Sequence, residues 1–202
     1  MDGYCLISLK DMYEEIGEDE TRSRLSSFSC PLNKDVEKYL RQSAMVLEKQ
    51  GVSPTQLVYS SYKGAPVLVG YFTIANKVFN IPKSALTSRL RQRLSRFAIY
   101  DKDISSYRVV APLIAQLGKN FRNGYNNLIS GDELLKLACD QVRQVQRVIG
   151  GKIVYLECED KPQLIRFYEE NGFKSFGKRI LDRDETETLS GEYLIQMLKY
   201  LG

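Results

Sequence analysis

The sequence contains no histidine, and this absence excludes more chemistry than any other feature of its composition. Ser-His-Asp and Cys-His catalysis, histidine general bases and the usual imidazole metal sites all require that side chain. Any reaction must therefore use tyrosine, carboxylates, lysine, cysteine, backbone amides or a cofactor.

Cysteine is scarce as well. Cys5, Cys30, Cys139 and Cys158 lie far apart and form no C-x-x-C pair. This spacing favours neither a zinc site nor a disulfide scaffold, so we expect free thiols and no metal.

Long hydrophobic runs are also lacking. No apolar run approaches the roughly 18 residues that a membrane-spanning helix needs, and the opening MDGYCLISLKD has neither the basic nor the apolar region of a secretory signal. The 202 residues are 43% hydrophobic and 27% charged, which is typical of a globular protein. We expect one domain over 1–202, in the cytoplasm and without a membrane partner.

Acidic residues are absent from residues 81–100, and this segment accounts for the whole net charge of +4. Its cations are Lys83, Arg89, Arg91, Arg93 and Arg96. Its apolar residues recur at helical spacing, at Leu86, Leu90, Leu94 and Phe97. We expect a basic helical insertion with Arg89, Arg93 and Arg96 on one face. That face is either simply solvated or a patch for phosphate groups of nucleic acid or another anionic partner.

The remaining pattern predicts alternating strands and helices. The first half contains a short strand at residues 5–9, a helix from Asn33 to Gly51, a hairpin about Lys63-Gly64, and a strand in which Pro112 indicates an edge or a bulge. The second half contains a loop at 119–131, a long helix to Gly150, a strand at 152–157, a helix capped by Asp160, and two strands flanking an acidic turn from Asp182 to Glu192.

The junction between the 119–131 loop and the long helix is the first candidate site. A helix N-terminus offers unpaired amides and a partial positive charge, which suit a diphosphate. However, Ser130 and Glu133 have the spacing of a capping box, which would occupy some of those amides, and Asp132 and Glu133 would repel a phosphate placed close to them. Local chemistry leaves both interpretations open.

The second candidate is the strand, helix and turn at residues 156–173, LECEDKPQLIRFYEENGF. Its aromatic residues, Phe167 and Tyr168, are equally consistent with packing in a core. Together, however, the two candidate segments resemble the GNAT superfamily of acyl-CoA N-acyltransferases. FYEENGF is similar to the family's Leu/Phe-Tyr-x-x-x-Gly-Phe sequence, and AQLGKN with GDELL is similar to its cofactor strand and helix. The resemblance covers roughly residues 28–200.

The resemblance implies an α/β (mixed α+β) GNAT fold, with a central sheet of about six or seven strands that is splayed in the middle and flanked by helices. Acetyl-CoA would enter between the strands at 108–119 and 152–157. The cofactor-binding residues implied are Gln116, Leu117, Gly118, Lys119, Asn127, Leu128, Ile129, Ser130, Gly131 and Asp132.

The family's general-acid position is occupied by Tyr168, which would protonate the leaving thiolate of coenzyme A. The acetyl group would pass directly to an amine, without a covalent enzyme intermediate. We assign the general base to Glu157, with Glu159 as the alternative.

The phosphate loop departs from the family's glycine-rich pattern, because only Gly131 keeps its glycine there. Asparagine tolerates left-handed backbone angles better than most residues, so we expect Asn126 and Asn127 to replace glycine conformationally. Ile129 would affect how closely the backbone approaches a diphosphate.

Our main interpretation is an acetyl-CoA-dependent N-acetyltransferase with an unidentified amine acceptor, and a homodimer is an open expectation. The order of Phe28, Tyr39, GYFTIANK, the basic segment and AQLGKN also resembles the branch of acetyltransferase toxins that modify aminoacyl-tRNA. One alternative is therefore a tRNA-directed toxin that binds tRNA through Arg89, Arg93 and Arg96. Another is a catalytically degenerate binding module.

Overall fold

The computed structural model describes residues 3–182, 189 and 191–202. Most of the acidic turn predicted at residues 182–192 lies outside these ranges. The helices are α1 Leu9–Ile16, α2 Glu18–Ser26, α3 Lys34–Lys38, α4 Ala44–Lys49, α5 Ser88–Leu94, α6 Gly131–Ile149 and α7 Pro162–Glu170. The strands are β1 Tyr4–Ser8, β2 Thr55–Tyr62, β3 Ala65–Pro82, β4 Ile99–Asp101, β5 Ser106–Lys119, β6 Ile153–Glu159, β7 Lys174–Ile180 and β8 Tyr193–Tyr200.

The strands form a mixed eight-stranded sheet in the order β1-β2-β3-β5-β6-β8-β7, with β4 paired to β5. The sequence predicted the seven strands of the main path and missed the three-residue β4. Because β5 has a neighbour on each side, the edge position considered for Pro112 is wrong.

The chain divides into two compact units. Unit 1 comprises Met1–Ala75 and Ile114–Asp140, and unit 2 comprises Asn76–Leu113 and Gln141–Gly202.

Local capping shapes the helices of unit 1. The Asn33 side chain accepts hydrogen bonds from the amides of Asp35 and Val36 at 3.0 and 3.2 Å, which confirms the predicted cap. The predicted helix from Asn33 to Gly51 is confirmed as a continuous helical run, in which a π-helical turn at Tyr39–Ser43 separates α3 from α4. Such turns break the regular hydrogen-bond ladder.

The core of unit 1 lies between α1–α4 and the face of the sheet that carries Leu57 and Tyr71. Tyr71 is fully buried, and its hydroxyl donates a 2.6 Å hydrogen bond to the carbonyl of Val36. The hairpin between β2 and β3 turns at Lys63 and Gly64, both with positive φ, so the predicted hairpin is confirmed.

The core of unit 2 contains stacked aromatic rings. The ring centroids of Phe79 and Tyr155 lie 4.1 Å apart, and Phe176 packs beside both. Leu86 and Leu94, from the basic segment, are buried in the same cluster. Burial of these leucines is what holds α5 in place.

The predicted basic helix is confirmed but is shorter than its apolar pattern indicated. α5 ends at Leu94, so Arg96 lies beyond it and does not share the helical face of Arg89 and Arg93. Phe97 is 37% exposed rather than part of the buried stripe. Both expectations were wrong because the chain leaves the helix at Ser95 and turns into β4.

The predicted cap of α7 is also wrong. The helix begins at Pro162 and its N-cap is Lys161, which makes no side-chain cap. Asp160 lies one residue too early, and its carboxylate is 3.5 Å from the Lys178 ammonium instead. No helix in the described part of the chain is long and apolar enough to cross a membrane.

Candidate active site

The end of β5, in unit 1, is held by close packing against α3 and β3. A Cβ atom at Gly118 would lie 2.3 Å from Cγ1 of Val36, so only glycine fits at this position. Gln116 donates a 3.1 Å hydrogen bond to Asp35. The close packing at Gly118 and the hydrogen bond of Gln116 therefore hold the backbone at the C-terminal end of β5 in place.

Asn120 fixes the chain immediately after β5. Its side chain is 1% exposed, donates to the carbonyl of Leu68 at 2.9 Å, and accepts from the amides of Ser29 and Arg122 at 3.0 and 3.1 Å. The sequence placed Asn120 at the end of AQLGKN and in the polar loop that follows, without giving it a role. An asparagine directly after a buried strand was the available signal, since its amide can hydrogen-bond to the chain on either side.

The loop itself is a pair of short 3₁₀ turns, Arg122–Leu128, joined by a kink. The kink is formed by Asn123 (φ 52°) and Gly124 (φ 74°). Asparagine does replace glycine in a left-handed conformation here, but at Asn123; the expectation for Asn126 and Asn127 is wrong.

Two side chains orient the end of the loop. Tyr4 donates a 3.0 Å hydrogen bond from its hydroxyl to the carbonyl of Leu128, and Ile129 is 2% exposed. Because the Ile129 side chain is buried in the protein, it does not cover the outer side of the backbone. Ser130, Asp132 and Asn127 are exposed beside it.

The capping box at the start of α6 is present. The Ser130 amide donates to the Glu133 carboxylate at 2.7 Å, and the Glu133 amide donates to the Ser130 hydroxyl at 3.1 Å. Hydrogen bonds from the amide and hydroxyl of Ser130 lower the pKa of Glu133. The helix N-terminus therefore carries a fixed negative charge beside its remaining amides.

Lys119 provides a positive charge close to this carboxylate. Burial lowers the pKa of its ammonium group, and Glu133 opposes that shift. Unit 1 thus brings together a strand end, a lysine, a kinked loop and a helix N-terminus. All ten predicted cofactor-binding residues, Gln116 to Lys119 and Asn127 to Asp132, lie in this arrangement.

In unit 2, Tyr168 lies in the second half of α7. Its ring packs edge-to-face against Phe167 and Phe173, with centroids 5.0 and 5.8 Å away. The hydroxyl makes no hydrogen bond to any residue that the structure describes. Burial raises the pKa of Tyr168, and the Cys158 thiol adds to that effect. The hydroxyl therefore remains protonated at neutral pH and is available as a donor.

Glu157, on β6, is held by three partners. Both of its oxygens accept from Nε of Arg179, at 3.0 and 2.9 Å, and its Oε1 also accepts from the hydroxyl of Tyr155 and from Gln196. The side chains of Glu157 and Arg179 are only 10% and 21% exposed. A carboxylate paired in this way must give up hydrogen bonds before it can accept a substrate proton.

The neighbouring residues of β6 are also occupied. Glu159 pairs with the Lys161 ammonium at 2.9 Å. Burial raises the pKa of the Cys158 thiol to about 12, with help from the Asp160 and Glu159 carboxylates. Cys158 therefore remains a protonated thiol and is a poor nucleophile.

Tyr168 and Glu157 are not brought together. Successive side chains of a strand point to opposite faces, so Cys158, which influences Tyr168, and Glu157 lie on different faces of β6. The acid and base predicted from sequence are thus placed on opposite sides of the same strand.

Solved structures of other proteins have a similar arrangement of strands and helices. AtaT complexed with acetyl-methionyl-tRNAfMet is 14% identical, with a TM-score of 0.60, covering 95% of this chain and 93% of AtaT. A tyrosine-to-phenylalanine variant of KacT is 13% identical, with a TM-score of 0.60, covering 96% of this chain and 94% of KacT. An AtaT variant bound to acetyl-CoA and the C-terminus of the antitoxin AtaR is 12% identical, with a TM-score of 0.60 and coverages of 99% and 94%. The chain has the GNAT acyltransferase fold.

Sequence similarity adds nothing to this likeness: no protein-family model matches, and no curated protein matches. The GNAT fold predicted from sequence is therefore confirmed by structural comparison. The sequence motifs did not predict two features of the site. These are the left-handed backbone of Asn123 and the closeness of the Glu133 carboxylate to the Lys119 ammonium.

Proposed function

We propose that this protein is an acetyl-CoA-dependent N-acetyltransferase that transfers an acetyl group directly to an amine. The observation that carries the proposal is Tyr168, a protonated tyrosine without a hydrogen-bond partner in the described chain, at the position that the resemblance gives to the general acid. The GNAT fold and an acetyl-CoA-bound neighbour support the same cofactor.

The resemblance assigns each proposed role to particular residues. In unit 1, the end of β5 would bind the pantetheine arm through its backbone, and Lys119 with the amides at 127–132 would bind the diphosphate. Tyr168 would donate to the sulfur as the thiolate leaves, in the role that the resemblance gives it. The cofactor supplies the activated acetyl group, and the protein supplies orientation and the proton.

A raised pKa affects how Tyr168 would act. A tyrosine with a pKa above 10 is less acidic than an ordinary thiol, whose pKa is about 8.5, so complete transfer to the departing thiolate is uphill. Its main contribution is a hydrogen bond that strengthens as charge develops on sulfur. We expect the acid to remain functional across the whole neutral pH range.

Glu157 is poorly placed to act as the general base. Arg179 and Tyr155 already occupy the Glu157 carboxylate, and it faces away from the Tyr168 side of β6. Glu157 is better suited to holding β6, β7 and β8 in register. An amine that arrives unprotonated needs no base before it attacks, and the proton that its nitrogen then loses can pass to solvent or to the leaving thiolate.

The test follows release of the coenzyme A thiol with a thiol reagent. Cys5 is the exposed cysteine among the four, so the measurements use a Cys5→Ser background. Acceptor probes are a polyamine, a lysine-containing peptide and aminoacylated total tRNA. We expect one class to support turnover, and Tyr168→Phe to lower that rate by about 10²–10⁴.

Tyr62→Phe is the matched control, because Tyr62 lies on β2 and packs against Tyr125. It should retain the full rate. Equal rates for the Tyr168 and Tyr62 variants would exclude Tyr168 as the acid. Acetyl-CoA binding without turnover for any acceptor would favour the degenerate binding module.

A tRNA-directed activity is the second candidate. It is favoured by the basic residues of α5 and by the AtaT complex with acetyl-methionyl-tRNAfMet. In the assay above, turnover with aminoacylated tRNA alone, and not with the same amino acids free in solution, would select it.

A further inference from the structure

A pocket of about 320 Å³ lies within unit 2, between α5 and the paired strands β7 and β8. Leu86, Leu90 and Leu94 attach α5 to the core, and the pocket opens beside them. Its volume is at the lower end of the range for small-molecule sites. The proposed acetyltransferase chemistry uses none of its lining residues.

The pocket has a strongly basic rim. Arg89 and Arg93 come from α5 and Lys174 from the start of β7, and no carboxylate is among the lining residues. Within the part of the chain that the structure describes, none of these three cations has an ion-pair partner. Other arginines are neutralised by carboxylates: Arg24, Arg41, Arg108, Arg166 and Arg179.

The floor of the pocket is apolar and partly aromatic. Leu198 and Phe176 are buried, while Tyr200 is half-buried at the edge. The guanidinium of Arg93 lies over the Tyr200 ring, 4.4 Å from its centroid. This contact holds Arg93 at the rim without neutralising its charge.

We propose that this pocket binds the phosphate group and attached nucleoside of a nucleotide, with the phosphate on Arg89, Arg93 and Lys174. The planar guanidinium groups match phosphate oxygens, and the apolar floor suits a base or sugar. Three uncompensated cations exclude the ammonium group of an amine acceptor. The nucleotide is either a free molecule or an unpaired unit of RNA, and the two sources are distinguishable.

The first test titrates adenosine 5′-monophosphate into the full chain without acetyl-CoA. We expect saturable binding, weakened about tenfold or more in the Arg89→Gln/Arg93→Gln variant through loss of charge-assisted hydrogen bonds. Arg91→Gln is the matched control. Arg91 lies on the same helix but does not line the pocket, and it hydrogen-bonds to Ser88.

The second test measures a labelled RNA hairpin with a single-stranded 3′ tail across a salt series. If the pocket binds an RNA unit, the double variant should lower the dependence of log Kd on log salt by about 0.7 for each phosphate that the protein no longer neutralises. Arg91→Gln should leave that slope near the wild-type value. Adenosine monophosphate binding without an RNA effect would identify the free nucleotide as the source.

Any of these results would overturn the proposal: no binding of either probe to folded wild-type protein, equal losses of affinity in the double variant and in Arg91→Gln, or stronger binding of an acidic peptide than of the nucleotide. Acetyl-CoA affinity is measured in parallel. Its retention in the double variant separates this pocket from the cofactor site, whereas its loss would assign the pocket to the cofactor and contradict a separate site.

Discussion

Single residues fix the backbone that the proposed cofactor contacts. Gly118 is packed so closely against Val36 that a Cβ atom would overlap it. The sequence indicated Gly118 as part of AQLGKN, but the reason for glycine there is visible only in the packing of α3 on β5. A fold-level motif can be recognised without knowing which contact maintains it.

Gly118→Ala should destabilise the protein by about 1–3 kcal/mol, because the added methyl group overpacks a full site. Val36→Ala in the same chain should recover part of that stability by removing the atom that the methyl group meets. Urea unfolding of the two single variants and the double variant measures the coupling. Additive effects on the free energy of unfolding would show that the close approach is not the cause.

Glu157 and Arg179 provide a second test at the residue scale. Glu157→Gln should cost about 1–3 kcal/mol of stability, because Arg179 loses one of its two carboxylate partners and keeps Asp182. Adding Arg179→Met should restore part of that stability. The pH profile of turnover separates the roles: an anchoring residue leaves its shape unchanged, whereas loss of the acidic limb in Glu157→Gln would establish Glu157 as the base.

Among the elements, the start of α6 carries two opposing functions. Its capping box stabilises the helix, while the Glu133 carboxylate stands near the amides proposed for the diphosphate. Periodicity was sufficient to predict α6 in full, since its apolar stripe spans five turns. The shape of the preceding loop depends on Asn120 and its contacts with distant segments, which no local pattern reports.

Glu133→Gln tests the diphosphate position. Glutamine keeps a capping-box partner and removes the negative charge, so acetyl-CoA binding should tighten, with the larger effect at low salt. The control is Lys136→Gln, which changes an exposed charge of α6 one turn later. A variant of Leu134 would be unsuitable as a control, because that side chain is buried. Unchanged affinity in Glu133→Gln would place the diphosphate elsewhere.

At the scale of the whole molecule, the sequence predicted the order of the elements better than their ends. Hydrophobic patterning and turn residues located every strand of the main sheet path, whereas α5 ended early and α7 began late. The reason is that these helix ends depend on tertiary contacts that are not local in sequence. Leu94 is buried in the core of unit 2, and Asp160 forms an ion pair with Lys178.

Several weakly acidic side chains are buried, and their burial makes the free energy of unfolding depend on pH in the alkaline range. Burial raises the pKa of Cys158 to about 12 from 9.0, and it also raises the pKa values of Tyr71, Tyr155 and Tyr168 above 10. When the pH rises above the ordinary pKa values of these groups, 9.0 for cysteine and 10.0 for tyrosine, the unfolded chain releases protons that the folded chain retains. The free energy of unfolding should therefore be constant near neutrality and fall as pH rises from about 9.

Urea unfolding between pH 7 and 11 checks this expectation. Cys158→Ala should remove the part of the decline that begins near pH 9, and Cys5→Ser, at the exposed cysteine, should not. A stability that rises with pH across this range would contradict the burial of these groups.

A calorimetric titration of the folded protein with acetyl-CoA tests the proposed cofactor site directly. We expect saturable binding of one acetyl-CoA per chain, unchanged in Tyr168→Phe, because the hydroxyl acts on the leaving thiolate rather than on the resting cofactor. The absence of binding at millimolar acetyl-CoA, with the protein shown to be folded, would contradict it.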